Sequence, residues 1–194
     1  MIRTFIAVEL STGLRDCLAA IQSELRRRRF ASRVSWTKPG NLHLSLQFIG
    51  LVGPDQVEPI GAALAAVARG RAGFELPVKG VGAFPHAGRA RVLWAGCDDS
   101  AGRAGDLAQA VRAALEPLGF PAEPRPYTAH ITLGRIRRPR PDAALTAALD
   151  SLTNKDFGTM QVDAVHLYQS QLHPEGSIYT KLSSHILTGT PKPG

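Results

Sequence analysis

The chain has 194 residues, of which 44% are hydrophobic and 20% charged, and it carries a formal net charge of +7. This composition is typical of a globular protein and excludes an intrinsically disordered chain. No apolar run approaches the ~20 residues that a membrane-spanning helix needs. The N-terminal stretch holds Arg3 among its apolar residues and lacks a small-residue cleavage site, so we expect no signal peptide.

Arginine accounts for 18 of the 23 cationic residues. Its planar guanidinium binds phosphate oxygens in pairs, so the excess favours a phosphate-bearing partner, although a general preference for Arg, Ala and Gly codons would produce the same composition. The two cysteines, Cys17 and Cys97, lie far apart and have no zinc-ligand spacing. They indicate no structural metal and a reduced, cytoplasmic setting.

Periodicity and turn residues predict alternating strands and helices. The predicted strands are 4–10, 34–36, 42–49, 74–79, 92–97, 129–136, 161–169 and 177–187, the last two forming a hairpin. The predicted helices are one that begins after a cap at Ser11 or Thr12 and ends in the arginines at 26–29, then 55–69, 102–118 and 142–152. We interpret the arginine run as a solvated helix end in preference to an RNA contact, and residues 121–126 as a proline-rich loop.

This order of elements favours an α+β fold over a doubly wound one. We expect one domain over residues 1–194, with a flexible tail at 189–194. An internal echo divides it, because the segment His43-Leu44-Ser45-Leu46 recurs 87 residues later as His130-Ile131-Thr132-Leu133. Two lobes related by a pseudo-dyad would bring the two copies together.

Each copy lies on a predicted strand, where alternate side chains share a face. His43 and Ser45 therefore point to one side and Leu44 to the other, and the second copy repeats the arrangement with His130 and Thr132. A lone histidine beside a hydroxyl residue is usually structural, but two such copies half a chain apart favour a catalytic site. The other four histidines (His86, His166, His173 and His185) do not belong to a repeated motif.

Two imidazoles that titrate near neutral pH can act as general base and general acid on opposite sides of one phosphorus. His43 and His130 are the candidate catalytic pair, and the hydroxyls of Ser45 and Thr132 would hold the non-bridging phosphate oxygens. We expect no metal and no cofactor. Two alternatives remain at this point: a non-catalytic RNA-binding module that uses the same basic cleft, and a metal hydrolase with both histidines as ligands.

The residues also resemble a known family, the two-histidine phosphoesterases, in particular the RNA 2′,3′-cyclic phosphodiesterase or 2′-5′ RNA ligase (LigT-like) branch. The likeness covers nearly the whole chain and includes both histidine motifs. It further includes Phe5-Ile6-Ala7-Val8, Arg91-Val92-Leu93-Trp94-Ala95-Gly96, Leu167-Tyr168-Gln169-Ser170 and the strand that contains Tyr179. Two residues depart from the usual pattern: Ser45 stands for the commoner Thr, which keeps the hydroxyl, and Ala129 stands for Pro.

The resemblance implies a bilobal fold, with antiparallel-sheet lobes, outer helices and a central cleft between the motifs. It implies hydrolysis of RNA 2′,3′-cyclic phosphate ends, or of small cyclic nucleotides, to 2′-phosphates, with reversible 2′-5′ ligation as a second activity. By analogy His43 protonates the leaving 3′ oxygen and His130 accepts a proton from water, although the near-symmetric motifs also allow the mirror assignment. We expect a monomer without a membrane partner.

Phe48 and Arg135 lie five residues after their histidines, and relatives use the corresponding pair to sandwich a base or bind phosphate. Strict alternation puts both on the wrong face. We therefore expect a twist or bulge at Gly134, and a strand that ends near Gly50, to turn them into the cleft. Core packing of Phe48 and a surface position for Arg135 are the alternatives. Tyr179 and Trp94 are candidates for base stacking, and the arginines at 137, 138 and 140 for backbone contacts.

Overall fold

The structure, a computed structural model, describes residues 1–121, 124–174 and 176–190. Within these ranges it contains nine strands and four α-helices. In chain order they are β1 (Ile2–Glu9), α1 (Thr12–Arg26), β2 (Val34–Trp36), β3 (His43–Val52), α2 (Val57–Arg69), β4 (Phe74–Phe84), β5 (Val92–Cys97), α3 (Arg103–Leu115), β6 (His130–Ile136), α4 (Ala143–Ser151), β7 (Asp156–Val162), β8 (Ala164–Gln171) and β9 (Ile178–Ile186).

All the strands join one antiparallel sheet in the order β7-β4-β5-β6-β3-β1-β8-β9, and β2 pairs with β6. The sheet has two halves of four strands each, β6-β5-β4-β7 and β3-β1-β8-β9, which meet where β3 pairs with β6 through Leu44 and Ile131. The predicted α+β fold with two antiparallel lobes and outer helices is confirmed. The lobes share one curled sheet, so the histidine strands are direct neighbours.

The helices cover one face of this sheet. Ser11 caps the N-terminus of α1: its side chain accepts a hydrogen bond from the Leu14 amide, and the helix packs near β7. Helix α2 packs on β8, β9 and α3, while α3 lies against β3 and α4 against β4. The apolar residues of both histidine motifs are buried in the core beneath the helices: Leu44, Leu46, Ile131 and Leu133. Burial of these alternate residues leaves the opposite face of the motif strands for polar side chains.

One predicted strand was wrong in extent, and two others ended too early. The predicted strand 161–169 is two strands, because the chain turns at Asp163 and passes from β4 in one half of the sheet to β1 and β9 in the other. Strand β7 starts earlier than predicted, at Asp156. Gly158, at φ +98°, and a bulge interrupt the alternation of buried and exposed side chains there. Strand β4 continues past Gly80 through another bulge, and β3 continues past Gly50 to Val52.

The sequence also predicted the C-terminal hairpin, the proline-rich loop at 121–126 and the tail at 189–194. The β8–β9 hairpin is confirmed, although Glu175 of its connection lies outside the described residues. So do two residues of the proline-rich loop, 122 and 123, and residues 191–194 of the tail. Gly189, the first residue of the predicted tail, donates its amide to the Arg71 carbonyl at 2.9 Å.

The arginine run at the end of α1 makes local contacts. Arg26 lies over the Trp36 ring, and Arg28 pairs with Glu24, so two of the four clustered arginines are accounted for.

Candidate active site

The two histidine motifs lie side by side on one face of the sheet. His43 begins β3 and His130 begins β6, and the bridge between Leu44 and Ile131 places each histidine one residue before a paired position. In this antiparallel register His43 falls opposite Thr132, and Ser45 falls opposite His130. All four side chains are half-buried, whereas Leu44 and Ile131 are fully buried on the other face. The pairing thus gathers two imidazoles and two hydroxyls into one site.

Backbone carbonyls set the orientation of both imidazoles. His43 Nδ1 lies 2.7 Å from the Asn41 carbonyl, and His130 Nδ1 lies 2.7 Å from the Thr128 carbonyl. Since a carbonyl can only accept, each Nδ1 carries the proton and each Nε2 is left for chemistry. In the neutral state His43 Nε2 accepts from the Ser45 hydroxyl at 2.9 Å. Each Nε2 can therefore receive a proton, or deliver one once protonated.

Both imidazoles are held in the neutral form more strongly than a free histidine. Burial lowers the pKa of His43 below 6.5, its bond to Asn41 opposes this, and the charges of His130 and Arg135 lower it further. Burial also lowers the pKa of His130, again opposed by a carbonyl, at Thr128, and reinforced by Arg135. The site therefore holds two neutral bases near pH 7 until an anion enters and stabilises an imidazolium.

Bulges turn Phe48 and Arg135 onto the histidine face. In β3, Gln47 pairs with Ile6 and Ser45 with Ala7, which leaves Leu46 as the extra residue. The consecutive residues Leu46 and Gln47 are consequently both buried, and Phe48 emerges on the opposite side with 52% of its surface exposed. The bulge supplies the change of face that we had expected from an end of the strand near Gly50.

The second motif contains the same irregularity. Gly134 pairs with Leu93 and Thr132 with Trp94, so Leu133 is the extra residue, and Arg135 after it is exposed. The charge of Arg135 adds to the lowering of the pKa of both catalytic candidates, and it opposes the rise that burial causes in the pKa of Tyr179. The predicted bulge next to Gly134 is confirmed. A Cβ atom at Gly134 would lie 2.7 Å from Val34 Cγ1, so a side chain at this position would push against β2.

Aromatic rings flank the imidazoles on both sides. The Phe5 ring lies 4.9 Å from His43 and the Tyr179 ring 5.5 Å from it, edge-on. On the other side, the Phe84 ring lies 4.9 Å from His130, also edge-on, and packs in turn against Trp94. Tyr179 therefore borders the site directly, whereas Trp94 lies behind Phe84. The arginines at 137, 138 and 140 follow the end of β6 on the exposed surface.

Two cavities open beside the histidines. The larger, of about 500 Å³, adjoins His130 and is lined by Ser45, Phe48, Phe84, Arg112 and Tyr127 among others. The smaller, of about 220 Å³, adjoins His43, with Phe5, Tyr168, Tyr179 and Lys181 in its wall. The larger cavity has the volume of a typical small-ligand site. Over residues 1–121, 124–174 and 176–190, no group of three or more His, Cys, Asp or Glu side chains could hold a metal ion.

Comparison with known proteins identifies the family. The family model of LigT-like phosphoesterases matches residues 8–94 and 96–179, and each matched segment contains one histidine motif. The chain belongs to the LigT-like phosphoesterase family. The resemblance noted from the motifs is thereby confirmed. The double match also agrees with the internal echo and with the two halves of the sheet.

Two relatives of this LigT-like phosphoesterase match it over almost their full length. A Methanothermobacter thermautotrophicus protein named RNA 2′,3′-cyclic phosphodiesterase is 35% identical over 181 residues, which is 93% of this chain and 96% of that protein. An Archaeoglobus fulgidus protein of the same name is also 35% identical, over 93% of this chain and 97% of its own length.

Solved structures agree with the fold. The crystal structure of a Thermus thermophilus protein superposes with a TM-score of 0.81 at 30% identity, covering 97% of this chain and 99% of that one. Escherichia coli LigT complexed with 3′-AMP gives a TM-score of 0.74 at 22% identity, over 96% and 98% of the two chains. At 22% identity, the similarity to E. coli LigT concerns the fold alone.

Three residues of the site were missed by the sequence analysis. Phe84 contacts His130, Tyr127 donates its hydroxyl to the Ser45 carbonyl at 3.1 Å, and Arg112 lines the larger cavity. For Phe84 and Tyr127 the sequence holds no signal, since both lie outside the motifs. For Arg112 it holds one: the residue follows Ala108 and precedes Leu115 at helical spacing, so an arginine falls on the buried face of α3.

Proposed function

We propose that this LigT-like phosphoesterase hydrolyses the terminal 2′,3′-cyclic phosphate of RNA to a 2′-phosphate by two-histidine acid–base catalysis, without a metal ion. One observation carries the proposal. The two motif imidazoles lie on one face of the sheet, with both Nδ1 atoms occupied by carbonyls and both Nε2 atoms left for proton transfer. Relatives at 35% identity bear the name of this activity.

In the proposed reaction a water oxygen attacks phosphorus while His130 Nε2 takes its proton. The bond from phosphorus to the 3′ oxygen breaks, and that oxygen takes a proton from His43 Nε2, which leaves a 2′-phosphate and a 3′-hydroxyl. The roles of the two histidines follow the family resemblance. Negative charge on the cyclic phosphate raises the pKa of the adjacent imidazole, so His43 gains its proton when substrate binds.

The remaining site residues bind the phosphate and the nucleoside. The Ser45 hydroxyl turns from His43 towards a non-bridging oxygen, and Thr132 and Arg135 stabilise the charge that grows on these oxygens. Phe48, at the rim of the larger cavity, and Tyr179, beside His43, offer faces on which a base can stack.

The direct test is incubation of the protein with an RNA that ends in a 2′,3′-cyclic phosphate, in the presence of EDTA. We expect loss of the cyclic end and a 2′-phosphate as product, identified by its chromatographic mobility against 2′- and 3′-phosphate standards. An unchanged end at high protein concentration contradicts the proposal and favours an RNA-binding module. Activity that EDTA abolishes and zinc restores favours a metal hydrolase. A 3′-phosphate product contradicts the assigned bond cleavage.

Ligation is proposed as a second reaction of the same site. A 5′-hydroxyl would take the place of water, so His130 would deprotonate that hydroxyl and a 2′-5′ phosphodiester would form. An assay with a 5′-hydroxyl oligonucleotide in excess should produce a joined RNA that resists a 3′-5′-specific nuclease at the junction. The absence of joined product over many hydrolytic turnovers contradicts this part.

We also propose that the enzyme works as a monomer in a reducing, cytoplasmic compartment. Cys17 and Cys97 are both free thiols, and burial raises the pKa of Cys97 to about 12, which makes it unreactive. No helix within the described part of the chain is long and apolar enough to cross a membrane. Sedimentation at enzyme concentrations used in assays tests the monomer, and cell fractionation tests the location.

A further inference from the structure

A buried cationic side chain lies in the wall of the larger cavity. Arg112 on α3 is only 8% exposed, and its Nε atom has no hydrogen-bond partner among the described residues. One terminal nitrogen donates to the Arg125 carbonyl at 3.4 Å, and Cζ lies 5.8 Å from the centre of the Tyr127 ring. A buried guanidinium held only by a weak carbonyl contact and a ring is costly to maintain.

The surroundings of Arg112 add positive charge. Arg91 and Arg125 line the same cavity, and no Asp or Glu of the described ranges lies in its wall. Within the described portion of the chain, none of these three arginines forms an ion pair with an Asp or Glu side chain. Three guanidinium groups around one apolar cavity create a field that attracts an anion.

The cavity connects this charge to the reacting centre. It extends from His130 and Ser45 to Arg112, with aromatic and proline side chains between them. Tyr127 joins the two ends, since its hydroxyl donates to the Ser45 carbonyl and its ring lies beneath Arg112. A nucleotide whose cyclic phosphate meets the histidines can therefore place a second anionic group near Arg112.

We propose that Arg112 forms a second phosphate subsite, which binds the phosphate on the 5′ oxygen of the terminal nucleotide. In an RNA chain this group is the phosphodiester that joins the terminal nucleotide to its neighbour. The inference rests on the proposed function for the identity of the ligand. Its consequence is selection for RNA ends, or for 5′-phosphorylated nucleotides, over nucleoside 2′,3′-cyclic phosphates with a free 5′-hydroxyl.

The test compares two substrates that differ only in this group: a nucleoside 2′,3′-cyclic phosphate with a 5′-hydroxyl, and the same compound with a 5′-phosphate. We expect the wild-type kcat/KM to be about 10-fold or more higher for the phosphorylated substrate, the effect of a charge-assisted hydrogen bond in a buried site. In Arg112→Gln this ratio should fall to about 1. In Arg112→Lys it should fall to an intermediate value, because lysine keeps the positive charge but lacks the paired donors of the guanidinium.

Arg103→Gln is the matched control. It removes the same charge from the exposed start of the same helix and should keep the wild-type ratio. A wild-type ratio near 1 overturns the proposal, as does an equal loss on both substrates in Arg112→Gln, which assigns Arg112 a structural role. A preference for one base that ignores the 5′-phosphate overturns it in favour of base recognition.

A binding measurement separates this inference from the proposed function. Calorimetric titration with a nucleoside 2′-phosphate and with the corresponding 2′,5′-bisphosphate requires no turnover. Tighter binding of the bisphosphate that Arg112→Gln abolishes supports the subsite even if the protein hydrolyses neither substrate, in which case only the proposed function fails. Equal binding of the two nucleotides by the wild type contradicts the subsite whatever the hydrolysis assay shows. Thermal unfolding of each variant confirms that the compared proteins are folded.

Discussion

Phe48 and Arg135 reach the histidine face for the same structural reason. Each lies five residues after a motif histidine, and in each strand an extra residue between the two, Leu46 or Leu133, changes the face on which the next side chains emerge. An apolar ring thus emerges after His43 and a cation after His130, both on the side of the sheet that carries the imidazoles. The two motif strands thus share the same bulge and differ in the side chain that follows it.

Replacement of Arg135 should lower the rate of the chemical step. We expect Arg135→Ala to lose about 10²-fold in kcat, the effect of removing a group that stabilises charge on phosphate oxygens. Arg135→Lys should recover part of the loss, since lysine retains the charge but not the paired donors. Single-turnover kinetics on a cyclic-phosphate RNA provide the measurement. Unchanged kcat with a raised KM would assign Arg135 to binding alone.

Replacement of Phe48 should act on binding. Loss of a base-stacking ring costs about 1–3 kcal/mol, so Phe48→Ala should raise KM about 5- to 150-fold with a smaller change in kcat. Phe48→Trp should retain most of the affinity because it keeps an aromatic face. Leu172→Ala, which shortens another exposed apolar side chain (77% exposed), serves as the control and should leave KM unaltered. A similar KM for Phe48→Ala and wild type contradicts the stacking role.

The two histidines should differ in their response to the leaving group. His43→Ala and His130→Ala should each lose at least ~10²-fold in rate. A substrate with sulfur in place of the 3′ oxygen needs little protonation on departure, because a thiol is far more acidic than an alcohol. It should therefore restore His43→Ala and leave His130→Ala slow. The reverse pattern supports the mirror assignment, and near-full activity of either variant on the oxygen substrate contradicts the two-histidine mechanism.

The pH dependence follows from the lowered pKa values. Both imidazoles of the free enzyme lose their protons below pH 6.5. The proposed mechanism needs one protonated and one neutral imidazole, so the kcat/KM profile should be a bell centred below pH 6.5. The kcat profile should extend to higher pH, because bound phosphate stabilises the imidazolium. In Arg135→Gln the maximum of the kcat/KM profile should move to higher pH, because the positive charge that repels the imidazolium forms is lost. A downward shift would show that Arg135 does not repel the imidazolium form.

Gly134 should be required for both stability and activity. A Cβ atom at Gly134 would lie 2.7 Å from Val34 Cγ1 and 3.2 Å from the Ser35 carbonyl. We therefore expect Gly134→Ala to destabilise the protein by about 1–3 kcal/mol and to reduce kcat by displacing Arg135. Gly13→Ala, where nothing lies within 4 Å of the added atom, is the control. It should leave kcat nearly unchanged and should not destabilise the protein, since alanine favours helix α1 more than glycine does. Denaturant unfolding and kinetics measure them, and a fully stable Gly134→Ala would show that β2 can shift without cost.

Local pattern was sufficient for the motif strands and insufficient where the alternation breaks. The regular alternation around His43 and His130 predicted that both motifs lie on strands and which of their residues are buried, although β3 extends further than predicted. Beyond Gly80 and around Gly158 the glycines and bulges interrupt the period of two, so the prediction ended β4 too early and missed most of β7. A bulge depends on which strand lies alongside, and a period measured along one strand does not contain that information.

The sequence by itself determined the candidate reacting groups: two imidazoles and two hydroxyls, each imidazole and hydroxyl together on the polar face of an apolar-backed strand. Side-chain alternation is a property of a single strand and needs no knowledge of its neighbours. Only the tertiary structure decided that β3 and β6 are adjacent, that Asn41 and Thr128 orient the imidazoles, and that Arg112 lies buried in the wall of the cavity beside His130. These features arise between segments distant in the chain, where packing and register set the contacts and local periodicity does not.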